Sequence, residues 1–84
     1  MGYIIAKRKR GDFIIAQTNY LYRCITERTY KMHPENAVDG VYVKQFFPLR
    51  KTAREFLQLQ LSNNNELDMA PITKELIEFV KKEL

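Results

Sequence analysis

Apolar positions in the first 17 residues fall in two short consecutive runs. Tyr3-Ile4-Ile5-Ala6-Lys7-Arg8 is rich in β-branched residues and predicts a strand. Lys9-Arg10-Gly11-Asp12 follows as a turn, where Gly11 can supply the positive φ of a tight hairpin. Phe13-Ile14-Ile15-Ala16-Gln17 predicts the returning strand. The two runs mirror each other in composition, as in a hairpin with both faces partly covered. Thr18-Asn19 reads as a second turn. From Tyr20 to Glu27 the alternation predicts a third strand. Tyr20, Tyr22, Cys24 and Thr26 lie on one face and Leu21, Arg23, Ile25 and Glu27 on the other. Both faces carry apolar residues, so the inward face stays open.

Arg28 to Gly40 reads as a loop, because Pro34 removes a backbone donor and Asp39-Gly40 is a turn pair. Val41 to Phe46 predicts a fourth strand. After Pro48 the spacing turns helical over Leu49 to Leu61. Leu49, Ala53, Phe56, Leu57 and Gln60 share one side, and Arg50, Lys51, Arg54 and Glu55 fall away from it. Leu59 and Leu61 widen the apolar arc, so the last turn is expected to be covered by something else. Ser62-Asn63-Asn64-Asn65 stops that helix. Asp68 is expected to cap a final helix with Pro71 in its first turn. Ile72, Leu76, Phe79 and Val80 would form its apolar stripe.

These elements predict an α+β fold: a small antiparallel sheet of about four strands, a meander opened by the N-terminal hairpin, with two C-terminal helices packed on one face. A chain of 84 residues, 45% apolar, has material for one such domain over residues 1–84 and no room for a second. The strands leave an edge, which a homodimer that pairs edges or swaps the last helix would cover. No apolar stretch approaches the roughly 20 residues of a membrane span, so no membrane partner is expected. The lone Cys24 excludes an internal disulfide, fits a reducing cytoplasm, and reads as a small buried hydrophobe.

Charge changes the picture. The net charge is +4, unevenly spread. Residues 1–31 carry seven cations against two carboxylates, residues 32–64 four against three, and residues 65–84 three against five. The basic end suits an anionic partner. Lys7, Arg8, Lys9 and Arg10 form a basic hairpin tip that could neutralise phosphates. The bland alternative is that four charges keep the tip solvated and guard against edge association. Arg50, Lys51 and Arg54 make a second basic cluster within about one helical turn. Tyr20 and Tyr22, with Tyr3 and Phe13, could offer stacking or interface area on an open face.

Chemistry beyond binding is not indicated. His33 has only Glu35 and Asp39 near it, too few for a metal site. The sequence lacks metal, phosphate-loop, dinucleotide and nucleophile-elbow motifs. The carboxylates near the C-terminus read as surface charge. No enzyme activity and no cofactor are expected.

Val41 to Phe46 followed by Leu49-Arg50-Lys51-Thr52-Ala53-Arg54-Glu55-Phe56-Leu57 resembles small accessory proteins of phages and mobile elements, in which a strand-rich half leads into a basic-Thr-Ala-x-x-Phe-Leu helix. The resemblance covers about a fifth of the chain and rests on packing residues, so no functional residue carries over. It implies an accessory role in a host cytoplasm: binding nucleic acid, inhibiting a host enzyme or defence system as anti-CRISPR proteins do, or sequestering a small anionic nucleotide. The combined expectation is a non-enzymatic binding protein. It would contact nucleic acid or a nucleic-acid-processing enzyme through Lys7, Arg8, Lys9, Arg10, Tyr20, Tyr22, Arg50, Lys51 and Arg54. The alternatives are an interaction inhibitor that uses the strand edge and tyrosines, and a dimeric nucleotide sponge.

Overall fold

The three consecutive apolar residues Ile4, Ile5 and Ala6 are each 0% exposed, which places their strand in the middle of the structure with cover on both sides. The structure is a computed structural model and describes residues 2–27 and 33–84. Its strands are β1 (Tyr3–Arg8), β2 (Phe13–Gln17), β3 (Val38–Tyr42) and β4 (Met69–Pro71). They form an antiparallel sheet in the order β2-β1-β3-β4. The helices are α1 (Thr18–Glu27), α2 (Arg50–Ser62) and α3 (Lys74–Lys82), with a 3-10 turn at Pro34–Asn36. The α+β class and the N-terminal hairpin follow the sequence reading.

The hairpin closes as its sequence requires. Gly11 N–H donates to the Arg8 carbonyl at 2.8 Å, and Arg8 N–H donates to the Asp12 carbonyl at 2.9 Å. Gly11 sits at φ +99°, so the connection is a turn followed by a glycine bulge. The tip is also pinned from the side: Lys9 N–H donates to Ala37 and Arg10 N–H to Glu35, at 2.8 and 3.1 Å.

Alternate residues of β1 serve different layers. Ile4 and Ala6 join Ala16, Leu21, Val38, Val41, Leu76 and Val80 in one apolar cluster. Ile5 joins Phe47, Ala53 and Leu57 in a second cluster on the opposite face. Helices α1 and α3 therefore cover one face and α2 the other. The two C-terminal helices do not share a face, because both faces of β1 are apolar and each needs its own lid. The sheet is also not a meander: β3 pairs with β1, on the side away from β2.

Three elements differ from the sequence reading. Tyr20 to Glu27 is helical, because Leu21, Cys24 and Ile25 also fit helical spacing and Leu21 and Cys24 bury on one side. Thr18-Asn19 opens that helix; the Asn19 side chain accepts from Tyr20 N–H at 2.8 Å. The strand expected at Val41–Phe46 lies at Val38–Tyr42 and runs through Gly40. A Cβ there would come within 3.2 Å of the Ala70 carbonyl, so glycine lets β4 approach. Finally, Pro71 ends β4 and does not open α3. The cap is Thr73, whose hydroxyl accepts from Leu76 N–H at 3.2 Å, in place of Asp68. Within the expected loop over 28–40, residues 28–32 lie outside the described residues.

Urea unfolding followed by circular dichroism tests this layering. Ile5→Ala is expected to cost about 2–5 kcal/mol. Gly11→Ala, which strains only the turn, is expected to cost about 1–2 kcal/mol. A loss below about 1 kcal/mol at Ile5 would contradict a β1 packed on both faces.

Candidate functional site

Strand β2 is one outer strand of the sheet, so half of its backbone groups have no partner strand. The register identifies them. Arg8 N–H donates to Asp12 and Thr18 N–H to Gly2, so the even-numbered residues of β1 are the hydrogen-bonded ones in this pair. Their partners Ile14 and Ala16 are satisfied. The N–H and C=O groups of Phe13 and Ile15 point away from β1 toward the open side of β2, and so does the N–H of Gln17, whose carbonyl begins helix α1.

Helix α2 stands over this edge. Phe47 and Tyr3 exchange two backbone hydrogen bonds, at 2.7 and 2.9 Å, which fixes the start of α2 near the Tyr3–Gln17 end of the hairpin. Phe56 packs on Phe47 and Tyr42 with ring centroids 5.2 and 5.5 Å apart. The positions 50, 54, 58 and 61 then form a stripe along the flank of α2 nearest β2. Between stripe and strand runs an open groove of about 790 Å³. Its walls are Phe13 to Gln17, Tyr3, Arg8 and Tyr20 on one side and Arg50, Arg54, Leu57, Gln58 and Leu61 on the other.

The expected site residues divide. Arg8, Tyr20, Arg50 and Arg54 come together in the groove. Lys51 does not: it is exposed, its Nζ lies 4.0 Å from Glu55, and it points to another side of α2. Tyr22 packs part-buried against the α1–α3 cluster, away from the groove. Lys9 and Arg10 are exposed at the tip, and Lys7 Nζ sits 5.9 Å from the Phe13 ring centroid. Lys7 belongs to a second groove on the other flank, with Asp39, Glu66 and Asp68. The residues the sequence did not reveal are Ile15, Gln58 and Leu61. Following Arg50 in steps of four and three along α2 would have found the last two.

Electrostatics of the hairpin tip are dominated by Asp12. Arg8 donates to it through Nε at 2.8 Å and through Nη2, and Arg10 Nε lies 3.3 Å away. The hydrogen bond from Arg8 holds Asp12 below its ordinary value of 3.8; it outweighs the opposing effect of desolvation and is helped by the charges of Arg10 and Arg8. Arg10 also donates to the Asn36 side chain at 3.3 Å. Two of the four tip cations are therefore turned onto one carboxylate. Tyr20 is 58% exposed, and a hydrogen bond with Cys24 keeps its hydroxyl above the ordinary value of 10.0. By contrast, neither Arg50 nor Arg54 has an ion-pair partner among the described residues.

Among the described residues no three His, Cys, Asp or Glu side chains gather as a metal-ligand set, and no helix is long and apolar enough to cross a membrane. No protein-family model, curated protein or solved structure matches the chain.

A carboxylate held low stabilises the fold above its unfolded value, and that stabilisation disappears as pH falls through the folded value. Wild-type stability should therefore drop as pH is lowered below about 4, near the ordinary carboxylate value. Asp12→Asn should flatten that acid limb, read as the urea midpoint between pH 5 and pH 2. An unchanged acid limb would mean that the Arg8–Asp12 pair carries no pH dependence.

Proposed function

We propose that this chain is a non-enzymatic protein-binding module that takes an extended segment of a partner as an additional strand on β2. The observation that carries the reading is the row of outward backbone groups on Phe13, Ile15 and Gln17 beneath the overhanging flank of α2. A free edge gives affinity through main-chain hydrogen bonds, and adjacent side-chain walls give selectivity. Each backbone bond formed there contributes on the order of 0.5–1.5 kcal/mol net, so three paired residues make a transient to moderate interaction. Such a module suits an adaptor or an inhibitor that occupies a partner's own strand. Nucleic acid is the second reading, favoured by Arg50 and Arg54 sharing a groove with Tyr3 and Tyr20. It is weakened at the hairpin tip, where Arg8 and Arg10 are engaged by Asp12.

The test is selection from a displayed library of random 12-residue peptides, followed by amide exchange on the full chain with the selected peptide. Exchange at Phe13, Ile15 and Gln17 should slow at least tenfold on binding, with little change at Ile14 and Ala16. Failure to select any peptide, or selected peptides that leave those three amides unprotected, would overturn the reading. Salt-steep binding of labelled single-stranded DNA or RNA in place of peptides would assign the groove to nucleic acid.

A further inference from the structure

We infer that the strand taken up at β2 is acidic in a defined spacing: two carboxylates two residues apart, facing Arg50 and Arg54, followed by an apolar residue near Leu61. This rests on the reading of the β2 edge as a strand acceptor and names the chemistry of what it accepts.

The direction of α2 follows from its neighbours. Its first turn lies by the Tyr3–Gln17 end, through the Tyr3–Phe47 pairing. Its last turn lies by the Phe13–Lys7 end, since Leu61 shares the second groove with Lys7 and Phe13. Helix α2 therefore runs opposite to β2. A strand added antiparallel to β2 would run the same way as α2, directly beneath its flank.

The spacings match. Arg50 and Arg54 are four helical residues apart, a rise of about 6 Å. Residues two apart in a strand are separated by about 6.6–6.8 Å and point to the same face. The residues of an added strand directly opposite Phe13, Ile15 and Gln17 share their face, which is the α2 face, because Phe13 and Ile15 pack in the Ile5–Phe47 cluster. Two guest carboxylates at that spacing would each meet one guanidinium, and charge-assisted bonds of this kind are the strong ones. Farther along the same flank the wall becomes apolar: Leu61 is 49% exposed and would face a guest side chain two to four residues on.

Charge also selects the occupant. Both arginines lack an ion-pair partner among the described residues, so the groove carries uncompensated positive charge. A second copy pairing through β2 about a two-fold axis would place both α2 helices on one face of the joined sheet. Four arginines would then share that face with no carboxylate supplied between them. A foreign acidic strand fits where a second copy is repelled.

The experiment is calorimetric titration of the full chain with synthetic heptapeptides in 50 mM salt. The first, Thr-Glu-Val-Glu-Val-Leu-Thr, has its two glutamates two residues apart. The second has the same composition with the glutamates three apart, so they fall on opposite faces in any register. The third replaces both glutamates by glutamine. The first should bind about tenfold tighter than the others, and the gap should narrow in 500 mM salt. Arg54→Glu, at an exposed helical position, should reverse the preference toward a peptide with lysine in place of its second glutamate. Equal binding of all three, with Phe13, Ile15 and Gln17 amides protected, would overturn the acidic spacing and leave the strand acceptor standing. No protection by any peptide would overturn both. Protection of those amides in the peptide-free chain, rising with protein concentration, would hand the edge to a second copy and also overturn the inference.

Discussion

The burial of β1 on both faces governs the rest of this structure. A strand with Ile4, Ile5 and Ala6 fully removed from water needs a neighbour on each side and a layer above and below. The chain provides them from different places. The hairpin supplies β2 on one side, and the segment after the 3-10 turn supplies β3 on the other. Leu21, Leu76 and Val80 close one face; Phe47, Ala53 and Leu57 close the other. β3 takes the other side of β1, so β2 lies outermost, and no further strand among the described residues pairs with it. The groove is thus a by-product of how β1 is covered.

The parts of the fold legible in the sequence are those with strong local punctuation. Gly11 announces the hairpin, Pro48 marks the change to helical spacing, and the apolar stripe of Leu76 and Val80 marks the last helix. Helix α1 was not legible because its residues satisfy two periods at once. Alternation and helical spacing both collect apolar residues from Tyr20 to Ile25, and only contact with α3 decides between them. β4 was not legible because three residues carry no period, and Pro71 argues for a helix start as readily as for a strand end. The assignment of helices to faces was invisible for a different reason: consecutive apolar residues in β1 and β2 do not say which face any helix will choose.

The site shows the same split. The basic run Lys7 to Arg10 was legible as charge at a turn, yet its effective charge depends on where Asp12 points, a three-dimensional fact. The cluster Arg50, Lys51 and Arg54 was legible as a group, but helix geometry separates its members. Residues 50 and 54 share a flank, while 51 lies about 100° around the axis, beside Glu55. The exposed Leu61 carried a usable signal, since it widened the apolar arc beyond what one sheet can cover.

The two sides of the sheet are not equivalent. At one side β4 is three residues long and ends in Pro71, which has no N–H to offer. At the other, β2 offers five residues without a proline. Growth of the sheet is therefore one-sided, and whatever is added at β2 meets no second acceptor of equal length across the molecule. This sets the valency. On the proposed reading each chain would hold one guest, and such complexes would close at a fixed stoichiometry without extending into fibres, even though the fold displays an uncapped apolar strand.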